Sequence, residues 1–518
     1  MAKLTYTCPI CHKVTFETKR TKLETLEVIA YNCGHSQIVK LSSKAALQAF
    51  KDGRKLYPFQ AKSVDFISEA NGRALIAHEM GLGKTLCAIG WLSSTPQALP
   101  ALIICKSNLR MQWLRELVAV CGIDLLPQLF TSPKEFVLPM AKVYIVSIDM
   151  LASFPVAAFS HCKTVVLDET QTIKNHEAKR TQAARAHAQG KPYFVGLSGT
   201  PIKNNAGEYF PILNMIRPSV FHNQNDFIKQ YCFYDESAYG LKARGLVSPS
   251  QFKEATQDFI LRYERSEVAP ELPSIQRNNE FIDMSDSAKE AYSDLFDEFT
   301  DYYDEHGESN SSEVQQNILA YFAKMRHITG LAKVASCVDF VESFLDSTER
   351  KIVVFAHHKD VCSNIAAQLR ANNPKIRVLE LRSDLDYLQR DRVVQDFKNY
   401  PHCRVLVAST LASGEGLNLQ FCADAVMLER QWNPANEEQA EARFTRIGSV
   451  SNAVMVTYMT AVGTIDEYFG ELVEQKRQIM NEALRGEAQE SWDQSSLMRE
   501  LAGVLASKGK NKWAKPKR

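Results

Sequence analysis

The run HEMGLGKT, with Gly81, Gly83, Lys84 and Thr85, lies between the short apolar segment RALIA and the helical stretch TLCAIGWL. A glycine turn there sets backbone N–H groups and the positive end of the next helix around one small volume. Lys84 adds a point charge, and Thr85 a hydroxyl suited to Mg²⁺, so the turn is predicted to be a phosphate loop. One position departs from the usual spacing: residue 78, where a first glycine is expected, is His78. A strand, a phosphate loop and a helix in succession restrict the chain to a parallel α/β sheet.

The surrounding pattern agrees. Apolar runs of strand length (ALIIC, KVYIVSI, TVVLDE, YFVGLSG) alternate with amphipathic stretches up to about Gly207, and the alternation resumes at Lys351 with KIVVFAH, IRVLELR, RVLVAS, ADAVMLE and AVMVTYM. This predicts two α/β lobes. The stretch between, about residues 202–345, has mainly helical periodicity, and no repeat of fixed period is present.

Asp168 and Glu169 close the run TVVLDE, which places two carboxylates at the carboxyl edge of the first sheet. There Asp168 is suited to hold Mg²⁺ and Glu169 to orient and deprotonate an attacking water. Together with the phosphate loop, the pair predicts hydrolysis of a nucleoside triphosphate.

Composition excludes other classes. Lys+Arg 61 balances Asp+Glu 60, so nucleic-acid binding must be local to one face rather than a bulk charge effect. No apolar stretch reaches the roughly 18 residues of a membrane span, and the first residues lack a secretory apolar region; an intracellular protein with no membrane partner is expected. Most of the twelve cysteines stand alone in apolar runs, as small core residues do.

The exception is N-terminal. Cys8 and Cys11 form C-x2-C, and Cys33 and His35 form C-x-H. Two such knuckles suit a tetrahedral Zn²⁺, with His12 an alternative fourth ligand, and a module of this size would draw folding energy from the metal. Six basic against three acidic residues over 1–42 incline its target toward DNA, a protein partner being the alternative. At the other end KGKNKWAKPKR carries six cations and Trp513 with no acid, which reads as a mobile basic tail.

From about Leu56 to Arg485 the motifs, in order, resemble the Swi/Snf-type DNA translocases of helicase superfamily two. LYPFQAKSVDFI, HEMGLGKT, ICKSNLRMQWLREL with Gln112, Trp113 and Glu116, VVLDETQTIKN, LSGTPIKNN, the long segment ending in Trp-Asn-Pro, and EQAEARFTRIGS are each similar to a family motif. The resemblance implies two RecA-like lobes in tandem with helical insertions. It implies ATP and Mg²⁺ as cofactors, the nucleotide held by Gln60, which would read adenine, and by Met80, Gly81, Leu82, Gly83, Lys84 and Thr85. Catalysis would fall to Lys84, Asp168, Glu169 and the arginine fingers Arg443 and Arg446 reaching across from the second lobe. The organisation expected is a zinc-ribbon-like module over 1–42, lobe 1 over 54–265, the insertion with lobe 2 over 266–485, and a polar, basic tail over 486–518.

The implied activity is a DNA-dependent ATPase, most simply a monomer, that translocates on double-stranded or branched DNA and remodels junctions or protein–DNA complexes. A strand-separating helicase and a DNA-binding scaffold with weak ATPase are the alternatives. Lys106, Asn108, Ser147 and Ser413 stand where the family contacts DNA phosphates. The compact organisation suggests the cytoplasm of a bacterial or phage-infected cell, with the nucleus as the alternative. Two positions depart from the pattern: Gln171 replaces the usual histidine of the Asp-Glu motif, and Ser449 stands where glutamine is common.

Overall fold

The computed structural model describes residues 50–199, 206–474 and 501–507, except 238–239, 270–271, 308, 310, 383, 411–418, 432–433, 446–448, 450 and 452. Before residue 50 it describes Cys33 and four strands, β1 (Thr5–Thr7), β2 (Val14–Lys22), β3 (Leu26–Tyr31) and β4 (Ser36–Lys40). These form an antiparallel meander in chain order.

The first lobe begins with α1 (Pro58–Glu69), started by a proline at its first position, where the missing N–H is not needed. It continues β5 (Arg73–Ile76), α2 (Lys84–Ser94), β6 (Ala101–Cys105), α3 (Arg110–Cys121), β7 (Pro127–Leu129), β8 (Val143–Ser147), α4 (Ile148–Leu151), β9 (Thr164–Asp168), α5 (Lys179–Ala188) and β10 (Tyr193–Leu197). Then follow α6 (Phe210–Ile216), α7 (Gln224–Tyr231), a hairpin of β11 (Cys232–Ser237) and β12 (Gly240–Leu246), α8 (Pro249–Thr256), β13 (Ile260–Leu261) and α9 (Arg265–Val268). Seven strands make one sheet in the order β13-β5-β10-β9-β6-β8-β7, every pairing parallel. Strands β6, β8 and β9 are buried along their whole length, which is why they read in sequence as unbroken apolar runs.

The second lobe is built likewise from β14 (Ser274–Ile282), α10 (Asp286–His306), α11 (Ser312–Ala332), α12 (Val334–Ser347), β15 (Ile352–Ala356), α13 (Lys359–Asn372), β16 (Val378–Leu381), α14 (Tyr387–Asn399), β17 (Val405–Ser409), β18 (Asp424–Met427), the helix Pro434–Glu441 and β19 (Ala453–Ala461). Its parallel sheet runs β14-β19-β18-β15-β17-β16. Alternate residues of β15 enter separate cores: Ile352, Val354 and Ala356 one face, Val353 and Phe355 the other.

Three features differ from the sequence-based expectation. Strand β14 lies in what read as a helical and irregular stretch; as an edge strand with SIQRNNEFI almost wholly exposed, it lacks the apolar run of a buried strand. The β11–β12 hairpin was likewise hidden inside that stretch. Residues 501–507, assigned to the polar, basic tail, are helical: Leu501, Ala502 and Leu505 share one core with Tyr292, Phe299 and Phe322 of α10 and α11. Burial of an apolar helix face outweighs the polarity of the residues around it. The cationic run 508–518 lies outside the described residues. Among the described residues no helix is long and apolar enough to cross a membrane.

Candidate active site

Strand register brings the site together. Leu197 of β10 lies level with both Ile76 of β5 and Asp168 of β9, and Ile104 of β6 is level with Leu167. The residues that leave these strands therefore meet at one carboxyl edge: the phosphate loop after β5, Lys106 after β6, Glu169 after β9 and Ser198 after β10.

In the phosphate loop Gly81 and Gly83 have φ of +88° and +70°, which side-chain-bearing residues rarely adopt, and Gly83 caps α2. A Cβ on Gly83 would lie 2.5 Å from Gln60 Nε2, so a side chain there would have to displace the Gln60 amide. Gln60 is fully buried and uses both ends of its amide: Oε1 accepts from the Tyr57 N–H at 3.0 Å, and Nε2 donates to the Leu82 carbonyl at 3.1 Å. Lys84 Nζ donates to the carbonyls of His78 and Glu79 at 2.9 and 3.2 Å.

His78, which departs from the glycine pattern, is an anchor. Its Nδ1 accepts from the Tyr263 N–H, so the neutral ring carries its proton on Nε2 and donates to Ser63 Oγ at 2.7 Å; Ser63 in turn donates to the Phe59 carbonyl. Burial first, then Lys84 and Arg262, push its pKa down to about 3. The ring thereby fastens the loop to α1 and to the segment that leaves β13.

Asp168 is buried and held from both sides. Trp113 Nε1, from α3, donates to Oδ2 at 2.8 Å, and the Glu169 N–H donates to Oδ1 at 2.9 Å. Burial, then the neighbouring Glu169 charge, pushes Asp168 up to about 6. Glu169 adopts φ +55°, ψ +61°, a left-handed conformation that costs a non-glycine residue about 1–2 kcal/mol. Gln171 Nε2 donates to Glu169 Oε2 at 2.5 Å, while Ser198 Oγ donates to Gln171 Oε1 at 2.8 Å. Burial opposes ionisation of Glu169, but Lys84, Lys106, the Gln171 amide and Arg443 together hold it below the ordinary glutamate value. The pair thus divides its work: Glu169 keeps its charge, and Asp168 keeps a proton more readily, as two adjacent buried carboxyls must.

Gln60, Gly81, Gly83, Lys84, Asp168 and Glu169 line a cavity of about 670 Å³ together with Arg54, Lys55, Leu56, Tyr57, Met80, Thr85, Gln112 and Glu116 from the first lobe, and Gln420, Ala442 and Arg443 from the second. Phosphate loop, carboxylate pair and an arginine of the other lobe therefore share one space. Side-chain hydrogen bonds join the lobes around it. Arg115 on α3 forms a two-pronged ion pair with Asp391 on α14, and Arg265 on α9 donates to Thr445 Oγ1 at 2.6 Å.

Of the expected site residues, Gln60, Met80, Gly81, Gly83, Lys84, Thr85, Asp168, Glu169 and Arg443 converge here, whereas Leu82 is fully buried in an apolar cluster with Phe59 and Ala269. Arg446 lies outside the described residues, as do Ser413, Cys8, Cys11, His12 and His35. Cys33 is half-buried, and among the described residues no group of three or more metal-capable side chains occurs. Ser147, expected on DNA, is only 2% exposed at the end of β8. Lys106, expected on DNA, stands near enough to Glu169 for its charge to help hold that carboxyl ionised. Sequence reasoning missed Arg54, which lines the cavity while paired with Asp52 and Glu116, and Arg265; neither stands in a motif.

Two parallel-sheet lobes, with a phosphate loop and carboxylate pair on one and an arginine from the other at a common cavity, define a tandem-lobe, helicase-type ATPase. The SNF2-related domain matches residues 59–330 and the helicase conserved C-terminal domain residues 332–448. The chain belongs to the SNF2-related family. It is 27% identical to the DNA annealing helicase and endonuclease ZRANB3 of Homo sapiens over 83% of this chain and 40% of that protein. It is 28% identical to the SWI/SNF-related matrix-associated actin-dependent regulator of chromatin subfamily A-like protein 1 of Xenopus tropicalis, over 85% of this chain and 46% of the relative. The chain thus spans less than half the length of these relatives. Among solved structures it is similar to the Sulfolobus solfataricus SWI2/SNF2 ATPase core in complex with dsDNA, at 22% identity and a TM-score of 0.40, covering 89% of this chain and 98% of that one.

Proposed function

We propose that this chain couples ATP hydrolysis to movement along double-stranded DNA and remodels branched junctions or protein–DNA complexes. The observation that carries the reading is Arg443 of the second lobe lining one cavity with Lys84, Asp168 and Glu169 of the first. Hydrolysis that needs both lobes is hydrolysis that depends on closure, and alternating closure is what stepping requires. The names of the two relatives, a DNA annealing helicase and a chromatin regulator, support DNA as the track.

In this reading Lys84 and the loop N–H groups bind the β- and γ-phosphates, and Thr85 and Asp168 would hold Mg²⁺, which would supply charge neutralisation at the phosphates. The buried Asp168 carboxylate, with its second oxygen fixed by Trp113, suits a cation. Glu169, kept ionised and aimed by Gln171, takes the proton of the attacking water. Arg443 and Arg446 stabilise the charge that develops on the transferred phosphoryl group. Gln60 stands beside the adenine end, with its amide already committed to Tyr57 and Leu82.

Zinc bound by Cys8, Cys11, Cys33 and His35 belongs to the same proposal. In the β1–β4 meander the strand ends that flank the two knuckles in sequence, Thr7 with Val14 and Ala30 with Ser36, lie at the same end of the sheet. That arrangement supports one shared tetrahedral ion.

ATPase rates measured without nucleic acid and with single strands, duplex, forked DNA and RNA test the reading. Duplex or forked DNA should stimulate most, and Arg446→Ala should suppress that increment while leaving nucleotide binding nearly intact. Equal rates with and without every nucleic acid would overturn it. Separation of forked strands by the parent would favour the strand-separating alternative.

A further inference from the structure

Arg265 is the first residue of α9, where the chain leaves lobe 1. Its backbone N–H donates to Glu79 Oε2 at 2.7 Å, and Nη2 donates to the Met80 carbonyl at 2.8 Å. Both acceptors belong to the phosphate loop. Its other prong, Nη1, donates to Thr445 Oγ1 at 2.6 Å. Thr445 is fully buried and stands between Arg443 and Arg446 in the second lobe. One guanidinium therefore holds the phosphate loop with one hand and the arginine-bearing segment with the other.

The backbones meet at the same place. A Cβ built on Gly81 would lie 2.6 Å from the Thr445 carbonyl oxygen and 3.4 Å from Arg265 Nη2. Gly81 thus has a second duty besides its positive φ: it lets the Thr445 backbone rest directly on the loop. Close approach of this kind ties the segment that carries Arg443 to the loop, and at a reacting phosphoryl group a misplacement of about 1 Å can cost about a hundredfold in rate.

We propose that Arg265 is a positioning residue that seats the Arg443–Arg446 segment on the phosphate loop, so that the loop itself sets where the fingers stand when the lobes close. The proposal rests on the two-lobe reading of hydrolysis given above. A planar fork with diverging N–H groups suits the role, because a lysine ammonium is a point donor and cannot span Met80 and Thr445 as the fork does. A purely structural role, fixing α9 to Glu79 within lobe 1, would leave Thr445 without influence.

The test uses the full chain as parent, Arg265→Ala, Arg265→Lys, Thr445→Val and the Arg265→Ala/Thr445→Val double variant. kcat and KM for ATP are measured with and without duplex DNA, and affinity for a fluorescent N-methylanthraniloyl ADP at equilibrium. Arg265→Ala should lower kcat about tenfold or more, with ADP affinity within about threefold of the parent; Arg265→Lys should recover only part of the loss. Thr445→Val should cost severalfold, and the double variant should be no worse than Arg265→Ala alone. Multiplying losses, an unchanged kcat, or a kcat loss matched by an equal loss of ADP affinity would overturn the proposal. If Arg265→Ala does not fold, the cycle is read from Arg265→Lys and Thr445→Val. A parent that hydrolyses ATP without DNA stimulation would defeat the proposed function, yet the Arg265 cycle is still read on the unstimulated kcat.

Discussion

Ser198 Oγ donates to Gln171 Oε1 at 2.8 Å, and the other end of the same amide donates to Glu169. The glutamine that departs from the family's histidine therefore bridges the proposed base and the strand end that follows β10. An amide performs this bridge in one protonation state only, with a donor for the carboxylate and an acceptor for the hydroxyl. Gln171→His should leave basal ATPase within a few-fold, alter the DNA-stimulated increment, and make that increment depend on pH between about 6 and 7. Parallel pH profiles in parent and variant would mean that residue 171 does not carry the signal.

Lys84→Ala should abolish hydrolysis, because the phosphates lose their principal cation. Glu169→Gln should retain ATP binding but lower turnover by about a hundredfold or more, the range typical of losing a general base. Nucleotide affinity and turnover, measured side by side, separate the two; turnover within about threefold of the parent in either variant removes that residue from the chemistry.

Asp168 stores instability for function. Its folded-state pKa, about 6, lies above the ordinary value of 3.8. The native protein therefore holds a proton that the unfolded chain releases, and the fold loses stability as pH rises from about 4 through 6. At pH 7.5 Asp168→Asn should stabilise the nucleotide-free protein by roughly 1–2 kcal/mol, the relieved charge burial less one hydrogen bond, while destroying activity. Thermal unfolding at pH 7.5 and near pH 4 checks the sign: the gain should disappear at the lower pH. A variant less stable than the parent at both values would show that Asp168 is not destabilised by ionisation.

The Arg115–Asp391 pair crosses between lobes on half-exposed side chains, so its contribution is at most about 1 kcal/mol and is screened by salt. Asp391→Arg should raise the ATP concentration for half-maximal stimulated rate by about two- to fivefold with little change in kcat. Restoring the pair by adding Arg115→Asp should return it. No rescue in the swapped double variant would mean that the contact does not bias closure.

Replacing Cys8 and Cys11 by serine should release one zinc per chain and leave basal ATPase intact, since the lobes have cores of their own. Metal analysis decides the first half: parent protein prepared without chelators and found free of zinc would end the assignment.

The sequence by itself determined the two α/β lobes and most of the ATP site, because both are local in the chain. Fully buried parallel strands show as runs such as ALIIC and IVVFA, and the phosphate loop and the Asp168–Glu169 pair each follow a strand within a few residues. Tertiary structure decided what depends on distant partners. Strand β14 carries polar residues on both faces along its middle, and pairing with β19, some 180 residues on in the chain, makes it a strand. The helix at 501–507 exists as a helix because α10 and α11 offer it an apolar floor. Arg265 and Thr445, 180 residues apart, meet only when both lobes are folded and apposed. A hydrogen bond between such residues leaves no periodicity or spacing in the chain, since its geometry is fixed by the packing of two cores rather than by either local sequence.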